Sequence, residues 1–116
     1  MATPNAAELN ALANDLATRY ANATLEIRQN TTVLAVHTLS GFGAASNGTV
    51  TANAIADDVI DVTGTPNNAK LIEGSREYSL TVGESGDVPT PNVVVSTTNY
   101  ISGQTSSVNS LAITFA

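Results

Sequence analysis

The chain of 116 residues sets four basic side chains against ten acidic ones, for a net charge of −6, and contains no cysteine. This length fits one domain, and a chain of this size buries roughly two-thirds of its unfolded surface, enough for a core without staples. Disulfides, thiolate nucleophiles and Cys-type zinc sites are excluded. The four cations Arg19, Arg28, Lys70 and Arg76 are scattered, which argues against the clustered basic surface that a nucleic-acid backbone needs.

Residues 1–5 have neither the basic n-region nor the apolar h-region of a secretory signal. No stretch approaches the about 18 apolar residues of a spanning helix. The expectation is a soluble product made in the cytosol, with no membrane partner. Ala6, Leu9, Leu12, Ala13, Leu16 and Tyr20 recur at three- and four-residue spacing, one stripe of a helix. The spacing predicts a helix over residues 4–20, ending near Asn22. Pro4 suits its first position with Thr3 as cap; Asn5 followed three residues later by Glu8 gives an alternative start of the capping-box type. Residues 1–22 are read as this helix and 23–116 as the β-structure it belongs to, one domain in all.

After Ala21 the period changes to two. Leu25 and Ile27 alternate with Glu26 and Arg28, and Gln29-Asn30 turns the chain. Residues 32–39 are β-branched and apolar, placing His37 on one face with Val33, Ala35 and Leu39. Asn47-Gly48 is a hairpin signal, because a type I′ turn needs positive φ at both central residues. Residues 49–54 alternate, 59–62 form a short strand, and 63–68 read as a loop. Residues 69–72 are a further strand, then Tyr78, Leu80 and Val82 share a face. Residues 83–91 are the longest turn-rich stretch, 93–98 are a strand, 102–107 are polar, and Leu111, Ile113 and Phe115 alternate to the end. About eight short strands with no crossover helix between them predict a mainly β protein: an antiparallel β-sandwich or jelly-roll-like fold with one N-terminal α-helix. Residues 108–115 carry no charge and no proline, so that strand is either interior to a sheet or covered by a partner chain.

Chemistry-bearing groups are few. His37 is the single histidine, and no nucleophile-elbow motif accompanies it, so it reads as a strand histidine with structural hydrogen bonds. Asp57, Asp58 and Asp61 are the densest acidic group. They are weak candidates for calcium, whose six to eight oxygen ligands they do not supply in EF-hand spacing, and they read first as a solvated turn or as contacts for a partner's basic groups. Glu73 and Glu77 lack the aromatic-lined cleft that glycoside chemistry wants. Gly41-Phe42-Gly43 is not a phosphate cradle; Phe42 reads as an aromatic anchor at the sandwich end. The three Asn-x-Thr tripeptides at 22, 30 and 47 are expected by chance in this composition. No catalytic residue and no cofactor emerge, and the expectation is a protein without enzymatic activity.

Charged residues are only 12 % of the chain, against about 25 % in typical domains. Thr, Asn, Ser, Gly and Ala replace them, and such short neutral side chains lose little rotamer entropy when covered. The helix and terminal strand are the expected contact elements, with Leu9, Leu12, Leu16, Tyr20, Phe42, Leu111, Ile113 and Phe115 as candidate partner-binding residues.

The run 39–58, from Leu39-Ser40-Gly41-Phe42-Gly43-Ala44-Ala45 through Asn47-Gly48-Thr49 to Asp57-Asp58, together with Asp61-Val62-Thr63-Gly64-Thr65 and the closing Ser-Leu-x-Ile-Thr at 110–114, resembles small structural proteins of tailed bacteriophages. The likeness covers about residues 5–65 and the C-terminus. The segment after the first strand is shorter than in those proteins, and the tryptophan they carry after Thr-Gly-Thr is missing. The resemblance implies a virion component, made in the host cytoplasm, of the capsid decoration or cement type. It implies the major capsid protein or other virion proteins as partners, a homo-oligomer (dimer or trimer), and no catalytic residues. A tail- or fibre-associated module contacting a host receptor through residues 66–68 and 84–91 is the alternative, and a small carbohydrate-binding module or hydrolase a remote one.

Overall fold

The computed structural model describes residues 5–115. Helix α1 spans Ala6–Arg19 and starts at Asn5, whose side-chain oxygen accepts the Glu8 N–H at 2.9 Å. That bond satisfies one of the orphan donors of the first turn, as a cap must. The capping residue is thus Asn5; Thr3 and Pro4 lie outside the described residues. The helix closes earlier than expected, with the Tyr20 N–H still reaching the Leu16 carbonyl and Arg19 in the last turn, where the helix dipole favours a cation. Ala13, Leu16 and Tyr20 of its apolar stripe enter the core, and Leu12 stays 43 % exposed.

Ten strands follow among the described residues: β1 (Thr24–Gln29), β2 (Thr32–Thr38), β3 (Thr49–Thr51), β4 (Asp58–Val59), β5 (Asn68–Glu73), β6 (Arg76–Leu80), β7 (Val82–Glu84), β8 (Val93–Val95), β9 (Thr105–Ser106) and β10 (Val108–Thr114). They form a four-stranded sheet in the order β2-β1-β5-β6, a second in the order β3-β10-β8-β7, and a two-stranded ribbon β4-β9. The protein is therefore mainly β and sandwich-like with one N-terminal helix. All pairings are antiparallel except β7 with β8. One buried cluster takes Leu25, Ile27 and Leu71 from the first sheet, Val50, Val93, Leu111 and Ile113 from the second, and Leu16 and Tyr20 from α1. The helix shares this core rather than standing outside it. Among the described residues no helix is long and apolar enough to cross a membrane.

Several elements depart from the sequence reading. The register of β2 on β1 slips between Ile27 and Arg28, so that Ala35 faces Ile27 but Val33 faces Arg28. The extra residue, Leu34, is buried beside Ala35, and such a bulge reverses the facing of everything before it. Val33 consequently leaves the face that holds His37. Residues 60–62 are not strand, and β8 stops at Val95. Val82 does not continue the face of Tyr78 and Leu80: at Thr81 the chain leaves the first sheet for the second. The side chain of Asn92 accepts the Thr81 N–H there, and the Thr81 carbonyl accepts the Val93 N–H.

The terminal strand β10 lies inside its sheet, between β3 and β8. Its lack of charge is that of an interior strand, and no partner chain is needed to cover it. The hairpin at Asn47-Gly48 is as its sequence demands. Both residues have positive φ, 51° and 78°, and Ser46 and Thr49 exchange two backbone bonds of 2.9 Å around them. Gly48 is also a junction. Its N–H donates to the Asn10 side chain of α1 at 2.7 Å, and its carbonyl accepts the Phe115 N–H at 2.8 Å. A Cβ there would sit 2.6 Å from the Phe115 carbonyl oxygen and 3.0 Å from Leu9 Cβ. Gly48→Ala is expected to lower stability by roughly 1–3 kcal/mol, because it combines a strained φ with displacement of two tertiary bonds; urea denaturation measures the loss.

Candidate functional site

Buried polar groups carry the first candidate. His37 on β2 and Ser106 on β9 are buried, although Ser106 comes from a polar run with no sequence mark of a core position. His37 Nε2 lies 2.8 Å from Ser106 Oγ, His37 Nδ1 lies 2.8 Å from the Ala56 carbonyl oxygen, and the Tyr100 hydroxyl lies 2.7 Å from Ser106 Oγ. The protons can be placed by elimination. A carbonyl only accepts, so Nδ1 carries hydrogen and donates to Ala56. With a neutral ring, Nε2 then accepts, Ser106 donates to it, and Tyr100 donates to Ser106. The chain Tyr100 → Ser106 → His37 → Ala56 has no spare donor and no unmet acceptor, in keeping with the absence of any unpartnered buried side-chain nitrogen or oxygen among the described residues.

This relay has the histidine–hydroxyl contact of a nucleophilic pair, but a carbonyl rather than a carboxylate stands behind the histidine. Ser106 Oγ is engaged on both sides, and the residue is fully buried. Its work is cohesion. It ties the outer strand of the first sheet to the β4-β9 ribbon, whose Asp58 faces Ser106. Burial pushes the Tyr100 phenol above its ordinary value of 10.0, and the hydrogen bond with Ser106 draws it part of the way back.

The three aspartates do not form a site. Among the described residues no three His, Asp or Glu side chains converge to hold a metal ion. Asp58 Oδ2 instead accepts the Val36 N–H at 3.0 Å, and the Asp61 N–H donates to the Leu34 carbonyl at 2.8 Å. Asp58 and the Asp61 backbone thus close the outer edge of β2, while Asp57 and the Asp61 side chain face solvent.

The second candidate is a groove of about 240 Å³ between α1 and β6. It gathers four of the residues singled out from sequence, Leu12, Leu16, Tyr20 and Phe115, with Tyr78, Asp15, Arg19 and Arg76. Tyr20 and Tyr78 meet edge-to-face with ring centroids 6.2 Å apart. Leu16 and Tyr20 form its floor, being nearly buried, and Leu12 its exposed wall. The other candidates lie elsewhere. Leu111 and Ile113 are 0 % and 2 % exposed, so they are core residues and cannot touch a partner: β10 is interior, and its inward face is the sandwich core. Leu9 lies against Gly48. Phe42 pairs with Ala52 beside β3 and packs half-buried on the core.

The groove adjoins an unusual edge. Of the four outer strands in the two larger sheets, β2 is closed as above. β3 is flanked by the 41–46 segment, with the Gly43 N–H bonding the Thr51 carbonyl at 2.9 Å. β7 is turned off by Asp87, whose side chain accepts the Glu84 N–H and whose N–H donates to the Glu84 carbonyl. For β6, among the described residues, no backbone group bonds any segment other than β5. Sequence reasoning missed Tyr78, Arg76 and this open edge, because nothing in 76–80 distinguishes an outer strand from an inner one.

Compared with protein-family models, with curated proteins and with solved structures, the chain finds no match.

Two outcomes are expected for the relay. Ser106→Ala strands the Tyr100 hydroxyl and His37 Nε2 in the core and is expected to cost roughly 2–4 kcal/mol, against about 1 kcal/mol for Tyr100→Phe, which removes only the end of the chain; thermal or urea unfolding ranks them. In an alkaline titration followed at 295 nm, one of the three tyrosines is expected to ionise above the ordinary phenol range, and Tyr100→Phe to remove that step. The sign follows from the raised value: Tyr100 contributes full stability below pH 10.0 and loses it as pH climbs through its folded-state pKa.

Proposed function

We propose that this chain is a non-enzymatic structural module of a tailed-bacteriophage particle, most simply a capsid decoration or cement protein that binds the major capsid protein in many copies and stabilises the shell. The observation that carries the reading is the α1/β6 groove lying against a strand edge that no other segment among the described residues covers. An open edge offers backbone donors and acceptors in register, and the groove beside it offers aromatic and aliphatic surface, the pairing that protein-binding edges use. The low charge of the chain fits a surface meant to be covered, and the likeness of residues 39–65 to phage structural proteins supplies the virion setting. Many weak contacts across a lattice add by avidity, so one small groove per copy suffices.

The loop 85–91 favours a second reading, a tail or fibre module touching a host receptor, because Val88 at its tip is 94 % exposed. One experiment separates the two. Purified protein is mixed with expanded shells of the phage's own major capsid protein, and sedimentation and shell thermal stability are followed. Co-sedimentation with a raised shell melting temperature is expected. Failure of both, with labelled antibody found on tails instead, would overturn the decoration reading in favour of the second.

A further inference from the structure

We infer that the open edge of β6 accepts a strand from another protein, and that the groove beside it selects for an apolar residue followed two positions later by an acidic one. This deepens the proposed function by naming the partner segment. Along β6, Arg76, Tyr78 and Leu80 alternate with Glu77 and Ser79, so the first three share the face that turns toward α1. Leu80 is buried, Tyr78 half-buried and Arg76 exposed. A strand added antiparallel places one residue opposite Tyr78 and, two positions on, another opposite Arg76, on the same face.

The first of these enters the groove walled by Leu12 and Phe115 over the Tyr20 floor and must be apolar. The second meets Arg76, which stands opposite Glu73 of β5 but forms no ion pair among the described residues. Arg19 pairs with Asp15, Arg28 with Glu26 and Lys70 with Glu77, whereas Arg76 has no ion-pair partner among the described residues. Between them, on the opposite face, the added strand confronts Glu77, which disfavours a second acid. The segment is thus apolar, then neutral or basic, then Asp or Glu, all extended.

A second copy of this chain fits less well. Antiparallel self-pairing centred on Tyr78 sets Arg76 against Leu80 and Glu77 against Ser79, and brings Arg76 no carboxylate. In that register Glu77 falls opposite Ser79, so the carboxylate facing Arg76 is the element that a foreign strand supplies.

The test uses the intact chain and two blocked synthetic peptides, acetyl-Thr-Val-Thr-Leu-Thr-Glu-Thr-amide and its Glu→Lys counterpart. Amide hydrogen exchange locates binding, and fluorescence polarisation of labelled peptide ranks affinity. The Glu peptide is expected to slow exchange of alternate amides within 76–80, and to bind roughly three- to tenfold more tightly than the Lys peptide. Arg76→Glu is expected to reverse that preference, and Leu12→Ser to weaken both peptides. Hydrogen exchange is read on every variant, so a misfolded protein is recognised by loss of protection in β1 and β5. Protection elsewhere than β6, equal binding of the two peptides, or concentration-dependent protection of β6 without peptide would each overturn the inference, the last by making a second copy the occupant. Peptide binding with no affinity for shells would fault the capsid reading and leave this one standing.

Discussion

A sheet ends at two strands whose outward N–H and C=O groups need partners, and the architecture of this chain follows from how those groups are met. A backbone group without a partner is tolerated only in contact with water, and a row of them invites another strand. The chain spends much of its irregular length on this. Residues 41–46 fold back to flank β3, and their return fixes the Asn47-Gly48 hairpin that Asn10 of α1 and the Phe115 backbone then grip. Residues 56–61 run beside β2. Asp87 terminates the exposed side of β7. Loops that look unstructured by composition are therefore edge covers, held by two or three bonds each.

The covering of β2 explains the buried relay. Laying the β4-β9 ribbon beside β2 brings polar backbone and the Ser106 hydroxyl to the inner face of the sandwich, where an unpaired group costs about 1–3 kcal/mol. A purely apolar residue at position 37 would leave the Ala56 carbonyl without its side-chain partner and the Ser106 hydroxyl with Tyr100 alone. Histidine solves both ends at once, because its two ring nitrogens point in different directions and one can donate while the other accepts. Tyr100 then closes the serine's remaining capacity. The residue that reads most readily as catalytic is accounted for by the demands of closing an edge.

The local signals in the sequence were strong where one stretch of chain decides the outcome. Asn5 with Glu8 set the helix start, Asn47-Gly48 the turn, and alternation at 24–29 and 108–114 the strands. Signals failed where distant segments decide. The pattern at 108–115 leaves open whether that strand is interior or partner-covered, and β3 and β8, from positions 49–51 and 93–95, make it interior. Ser106 sits in a polar run, and its partner is 69 residues away. The bulge at Leu34 reverses the facing of Val33 without a glycine or proline to mark it. The groove was half legible: the helix stripe named Leu12, Leu16 and Tyr20, while Tyr78 and Arg76 join them only because β6 is the last strand of its sheet.

That position gives β6 its significance. Natural sheets usually blunt a free edge with lysine, proline or a bulge. Here three of the four outer strands of the larger sheets are flanked by other segments, and the fourth, among the described residues, carries only Arg76 and Glu77 as charges, beside an aromatic groove. A protected edge is commonly very short or strongly charged. This one is five residues long, enough for several ladder bonds, and an apolar groove flanks its α1-facing side. The net charge of −6 repels like copies from one another at long range, while Arg76 presents a local positive spot to any acidic strand. General repulsion between copies, with local attraction reserved for a complementary acidic segment, would keep such an edge from pairing with its own kind.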